Sequence, residues 1–220
     1  MRYFALLVLF VLTGWWFPSL AAAEEPAGIV MAISGETDPP LTAMAEISDG
    51  SRISLKDDAR LTFLHYSLCK IAVVTGGTVT LSRANFVSDG RIESEKDEPC
   101  PRVYSMLDMS ETNRSTGGAL IRGGAMTPPH WSASAEFIFT GPKANLITAA
   151  AIISDDSPVQ PMQLQIVDGR GRQPAGAAPL KPGGHYTLRI STRDRSTPTE
   201  MPFITAAPSA SGSLIVLRLS

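Results

Sequence analysis

A chain of 220 residues carrying 19 basic and 21 acidic side chains, net −2, has no electrostatic footprint for nucleic acid or for an anionic membrane surface. Eighteen glycines and 17 prolines break it too often for long helices, and short β-branched runs fill the intervals. The fold class expected is all-β, built from sandwich or barrel units.

In chain order, a leader comes first. Arg2 gives a short positive start, residues 4–12 (FALLVLFVL) are unbroken apolar, and Ala21-Ala22-Ala23 precedes Glu24-Glu25. This is the pattern of a secretory signal peptide, residues 1–23, cut between Ala23 and Glu24. The alternative is an uncleaved anchor with Trp15-Trp16 in the interface; Pro18 and the alanine triplet argue for cleavage. No cysteine stands at the cut, so a lipoprotein is not expected. No later run reaches membrane length; the longest, residues 146–153, contains a threonine. The mature chain, residues 24–220, is long enough for one large or two small domains.

Residues 28–33 read as a first strand closed by Ser34-Gly35. Asp38-Pro39-Pro40 is loop, and Ala45-Glu46-Ile47 leads into an Asp49-Gly50 turn. Arg52-Ile53-Ser54-Leu55 and Arg60-Leu61-Thr62-Phe63 alternate, with Leu61 and Phe63 on one face. Residues 71–75 form a buried-type strand, Gly76-Gly77 a two-residue hairpin turn, and residues 78–81 the return. Phe86-Val87 and Arg91-Ile92-Glu93 make a small hairpin around Asp89-Gly90. After the charged run 93–98 and Cys100-Pro101, a polar, glycine-rich stretch is the expected linker, residues 105–130, with Leu120-Ile121 as a short strand inside it. Strands resume at 136–140, 146–153, 162–167, 185–191 and 214–219, separated by turns such as Asp168-Gly169. That spacing fits an immunoglobulin-like β-sandwich over 131–220, with 197–212 as a long surface loop. The first domain is placed at 27–104.

Two cysteines in an exported chain should pair. Closing the Cys69–Cys100 loop stabilises by about 3–4 kcal/mol on chain-entropy grounds; two buried free thiols are the alternative. Both cysteines precede the linker, so the bond is expected to staple the first domain alone.

Residues 61–70 (LTFLHYSLCK) put His65, Tyr66, Ser67 and Cys69 within five positions. Metal ligation needs three or four converging donors, and the soft ones are His65, Cys69, Cys100, His130 and His185. In an extended strand positions i and i+4 lie about 13 Å apart, and a disulfide withdraws both thiolates. No CxxC, HExxH or GxSxG is present. His65 and Tyr66 are therefore expected to pack half-buried at a strand end, with His65→Ala costing about 1–2 kcal/mol. The carboxylates at Asp57-Asp58, 93–98 and Asp155-Asp156 read as solvated turns. Asp168-Gly169-Arg170-Gly171-Arg172 has a phosphate-loop look, but no helix start follows, and a hairpin turn accounts for it.

"GIVMAISGE" (28–36), "AEISDGSRISL" (45–55), "DDARLTFL" (57–64) and "GGTVTL" (76–81) carry a resemblance. Residues 28 to about 92 look like a FecR-like periplasmic domain. Two departures stand out: His65-Tyr66-Ser67 replaces the family's Asp-Gly turn after the third element, and the cysteine pair lies outside its general pattern. The resemblance implies a compact, β-rich, non-enzymatic module of cell-envelope signalling or binding. No iron or citrate ligand set carries over, nor does the sigma-regulator architecture, whose transmembrane and cytoplasmic parts have no counterpart here. The expected function is thus a periplasmic or secreted binding and signalling accessory, with an envelope protein or polymer, or a membrane sensor, as partner. Neither catalytic nor metal-ligating residues nor a cofactor are expected, and the ligand-binding residues stay unassigned. A structural envelope-assembly part is the alternative, followed by a glycan hydrolase using two carboxylates from different loops.

Overall fold

The computed structural model describes residues 26–105, 128–156, 160–206 and 214–219. The leader with its Ala23-Glu24 cut, nearly all of the expected linker, and Leu120-Ile121 lie outside the described residues. Among the described residues the protein is all-β, with a curled half-barrel sheet followed by a two-sheet sandwich. No helix among them is long and apolar enough to cross a membrane.

The first sheet holds β1 (Pro26–Ser34), β2 (Thr37–Asp38), β3 (Glu46–Ser48), β4 (Arg52–His65), β5 (Lys70–Leu81), β6 (Phe86–Ser88) and β7 (Arg91–Asp97). Its spine is the antiparallel β4–β5 pair, paired from Arg52↔Thr80 to His65↔Lys70. Gly76-Gly77 is therefore not a hairpin turn. Both glycines sit inside β5, at φ +64° and +72°, opposite a slip in which Leu55 pairs Gly77 and Arg60 pairs Thr75. The positive φ values bend the strand, and Asp57-Asp58 become exposed residues of a bulge in β4 rather than a turn. The bend changes the neighbours too. β6 pairs the far half of β5 and β7 pairs the near half, so Asp89-Gly90 joins two successive stretches of one edge instead of closing a hairpin. Curling brings Val30, Leu61, Phe63, Val74, Val79 and Leu81 into one core.

The sandwich comprises one sheet in the order β13 (Gln165–Val167), β14 (Arg170–Arg172), β10 (Glu136–Thr140), β17 (Leu214–Arg218), β8 (Arg102–Ser105). It packs on a second in the order β12 (Met162–Gln163), β11 (Ile147–Ser154), β15 (His185–Thr192), β16 (Thr199–Ala206), β9 (His130–Ser132). The core between them is aromatic: Trp131 stacks on Phe203 at 4.5 Å and meets Phe137 edge-on at 5.5 Å. The turn at Asp168-Gly169 forms as read, with φ of +48° and +74° between β13 and β14.

Three sequence expectations change here. Residues 162–167 are two strands, because the chain switches sheets at Leu164. The loop placed at 197–212 contains β16, whose Met201, Phe203 and Thr205 point inward. Pro202 breaks no ladder bond: Ile204 donates its N–H toward β9, to Pro129 O, so Pro202 faces the same side, beyond the start of β9. Finally, Arg102–Ser105, placed at the end of the first domain and the first residue of the linker, is the edge strand of the sandwich among the described residues, pairing in parallel with β17.

Cys69 and Cys100 form a disulfide, which belongs to an oxidising compartment. It closes the β4–β5 turn onto the segment where the chain leaves β7 for β8.

Candidate functional site

The strands at the centre of both units are apolar on two faces. β10 points Phe137 and Phe139 into the sandwich core but Ile138 outward; β17 does the same with Ile215 and Leu217 against Val216. On the other side, β1 and β4 turn Ile29, Met31 and Leu64 away from the half-barrel core. These outward residues meet Met44 in a third, smaller core, so the two units dock along an apolar seam. Each such side chain removed from water stabilises the docking by about 1.5–3 kcal/mol.

Polar contacts fix the seam's register. Arg218 grips Glu46 with both arms, Nε–Oε2 and Nη2–Oε1 each at 2.8 Å. Thr140 Oγ1 donates to Met44 O at 2.8 Å. Met44 reaches the seam because its loop bonds back to β1, with Met44 N to Val30 O and Val30 N to Ala45 O. The tip of the β13–β14 hairpin closes against it; a Cβ at Gly169 would stand 2.7 Å from Met44 Cγ.

Clefts flank this tip. One, of about 640 Å³, lies between the Met44 loop, with Thr42 and Glu46, and the sandwich residues Phe139, Gly141 and Asn145. The other, of about 410 Å³, runs from Met31 over Val167 to Arg170 and Arg172. Asp168 stands at the edge of both. A concave junction between two rigid units, part apolar with a few polar groups, is where small ligands and peptide segments bind.

Beside the seam, the Tyr66 hydroxyl is buried with no hydrogen-bond partner among the described residues. Burial, and then the negative charge of Glu46, push its pKa far above the usual tyrosine range, while Arg218 opposes them. The folded pKa is raised, so this contribution to stability is intact below about pH 10, the unfolded value, and is lost as pH rises beyond it. Tyr66→Phe removes the orphaned hydroxyl and should raise stability at neutral pH by about 1 kcal/mol. Urea unfolding at pH 7 and pH 11 checks both statements, with the advantage of the variant growing at the higher pH.

His65 departs from the half-buried expectation. It is fully buried, on the side of the half-barrel core opposite Tyr66, with its ring 6.3 Å from that of Phe86. Nε2–H donates to Ser82 O at 2.8 Å, and Nδ1 accepts from Leu68 N at 3.2 Å. The ring thus ties the β4–β5 turn, through Leu68, to the chain just past β5, at Ser82, and Cys69 N of that turn also bonds His65 O. The residue is a structural clamp. His65→Ala leaves a part-buried carbonyl and N–H unpaired as well as a void in the core, and should cost about 2–4 kcal/mol. A shift in the urea midpoint with no change in sandwich tryptophan fluorescence at zero denaturant is the expected readout.

The other residues singled out from sequence do not assemble. Among the described residues no three His, Cys, Asp or Glu side chains form a group able to hold a metal. His130 and His185 are exposed at the starts of β9 and β15. Glu93 engages Arg60 and Thr75, and Glu95 engages Lys70, as surface pairs across the first sheet. Asp155 and Asp156 accept from Thr187 Oγ1 and His185 N, tying down the end of β11. The seam itself was missed from sequence, although the doubly apolar strands announce it.

No protein-family model matches the chain, and no curated protein and no solved structure matches it.

Proposed function

We propose that the protein is an exported, non-enzymatic binding module of the bacterial cell envelope, which recognises a protein or polymer partner through the seam between its half-barrel and its sandwich. The observation that carries this reading is the pair of clefts beside the Asp168-Gly169 tip, each contacting both units. Three further features support it: the signal-peptide pattern of residues 1–23, the disulfide, and the FecR-like patterns of residues 28–92. The seam is built for recognition, because a ligand there touches two rigid sheets at once and is held by polar side chains on an apolar floor.

A photo-crosslinking residue at Asn145, which lines the larger cleft and is exposed, tests the proposal. The chain carrying it is exported to the periplasm and illuminated in intact cells. A discrete crosslinked species at position 145, absent when the same group replaces the exposed Arg189 on β15, is the expected result. Crosslinking at neither position, or equally at both, rejects the seam as a recognition site.

A further inference from the structure

The outer face of the β13–β14–β10–β17–β8 sheet is only half covered. Ile138 and Val216 lie under the first unit, but the same face continues past Met31 onto β14 and β13. Gly171 faces inward, where a Cβ would stand 2.8 Å from the Phe139 ring. Its neighbours Arg170 and Arg172 must therefore point outward. Their cross-strand partners on β13 are Val167 and Gln165, so all four side chains share the uncovered strip. Val167 is 66% exposed, among the most exposed large apolar residues described.

The two arginines are unequally engaged. Arg172 Nη2 hydrogen-bonds Glu136 Oε1 at 3.0 Å. The Arg170 guanidinium only approaches the same oxygen, at 3.5 Å, and makes no hydrogen bond to the described residues. Yet its side chain is only 28% exposed. A guanidinium has five N–H donors and favours planar oxyanions in two-point contact. Glu136 offsets one of the two positive charges, and Asp168 stands at the hairpin tip with no ion-pair partner among the described residues, so net charge alone would not select an anion. The unmet donors of Arg170, beside an apolar wall of Met31 and Val167, do.

We infer that this 410 Å³ groove takes an acidic peptide segment. A carboxylate of the segment makes a two-point contact with Arg170, and the apolar side chain next to it lies on Met31 and Val167. The inference rests on the binding role proposed above and adds the chemistry of the partner. Continuity with the seam places such a segment against both units.

Titration of the full exported chain with an alternating valine–glutamate hexapeptide tests it, against the same peptide with glutamine in place of glutamate, and against inorganic phosphate. The glutamate peptide should bind, weakening at least tenfold in Arg170→Gln and severalfold in Arg172→Gln, with Arg189→Gln unchanged. The glutamine peptide should not bind, and phosphate should not displace the glutamate peptide at equal concentration. Arg172 is 60% exposed, so its variant keeps the test decisive if Arg170→Gln fails to fold. Equal binding of both peptides, no loss in either arginine variant, or displacement by phosphate overturns the inference. If the peptide fails while the Asn145 crosslink persists, only the ligand chemistry is wrong; if both fail, the seam is not the recognition site.

Discussion

Gly90→Ala should unfold the half-barrel. A Cβ at Gly90 would stand 1.9 Å from Gly76 O and 3.0 Å from Thr75 O. Both are backbone atoms of β5, so no side-chain rotation relieves the clash. Gly77, on the same bend, has its own φ of +72°, and a Cβ there would lie 2.6 Å from Gly90 Cα. Three glycines thus pack backbone against backbone where β6 hands over to β7. Any side chain at 90 forces β6 or β7 off β5, and the edge that closes the curl is lost. The expected cost is more than about 4 kcal/mol, comparable with the whole stability of a domain, about 5–15 kcal/mol. Gly50→Ala is the matched control. Gly50 also has positive φ, at +76°, but a Cβ there meets nothing within 4 Å, so only the backbone preference of about 1–2 kcal/mol applies. Urea unfolding of both variants decides the matter. A Gly90→Ala midpoint no lower than that of Gly50→Ala would mean that the bend can shift without harm.

That corner shows where local sequence reading fails. Gly76-Gly77 and Asp89-Gly90 are both ordinary hairpin signals. Neither closes a hairpin, because β4 and β5 are long enough to pair on both sides of the bend and positive φ is used inside the strand. Periodicity alone could not tell a turn from a bend. β16 was lost for a related reason: Pro198, Pro202 and Pro208 made residues 197–212 look like loop, while the inward alternation of Met201, Phe203 and Thr205 was there to be read.

The seam was legible in principle. Strands with one wet face alternate apolar and polar residues, whereas Ile29-Val30-Met31, Phe137-Ile138-Phe139 and Leu214-Ile215-Val216-Leu217 are continuously apolar. A strand apolar on both faces needs two partners, so three such strands in two units predict that the units dock through them. Nothing local indicates that Glu46 meets Arg218 across the docked surface, because the pairing depends on how two sheets come together. The disulfide and the all-β class were readable because cysteine count and turn spacing need no tertiary information.

Loss of the disulfide is the remaining large effect, and its location alters what should be seen. A crosslink with a sequence separation of 31 stabilises by about 3–4 kcal/mol through the unfolded chain. In the folded protein, Glu98 N bonds Cys69 O at 2.8 Å and Lys70 pairs Asp97, so the end of β7 stays in place without the bond. The segment after it does not have that support. Only Pro101 separates Cys100 from β8, whose four residues have β17 as their single strand partner among the described residues. Arg102 Nη1 bonds His130 O at 2.5 Å, and the Tyr104 ring lies 5.7 Å from that of Trp131. Paired replacement of Cys69 and Cys100 by alanine should therefore lower global stability by about 3–4 kcal/mol. It should also speed amide exchange at residues 102–105 more than in β15 and β16, at the centre of the sandwich's other sheet. Hydrogen exchange with peptide-level resolution reads both. The bond then acts as a joint between the units, not as a staple within the first. Unchanged exchange at 102–105, with all the loss in β1–β7, would restore the staple confined to the half-barrel.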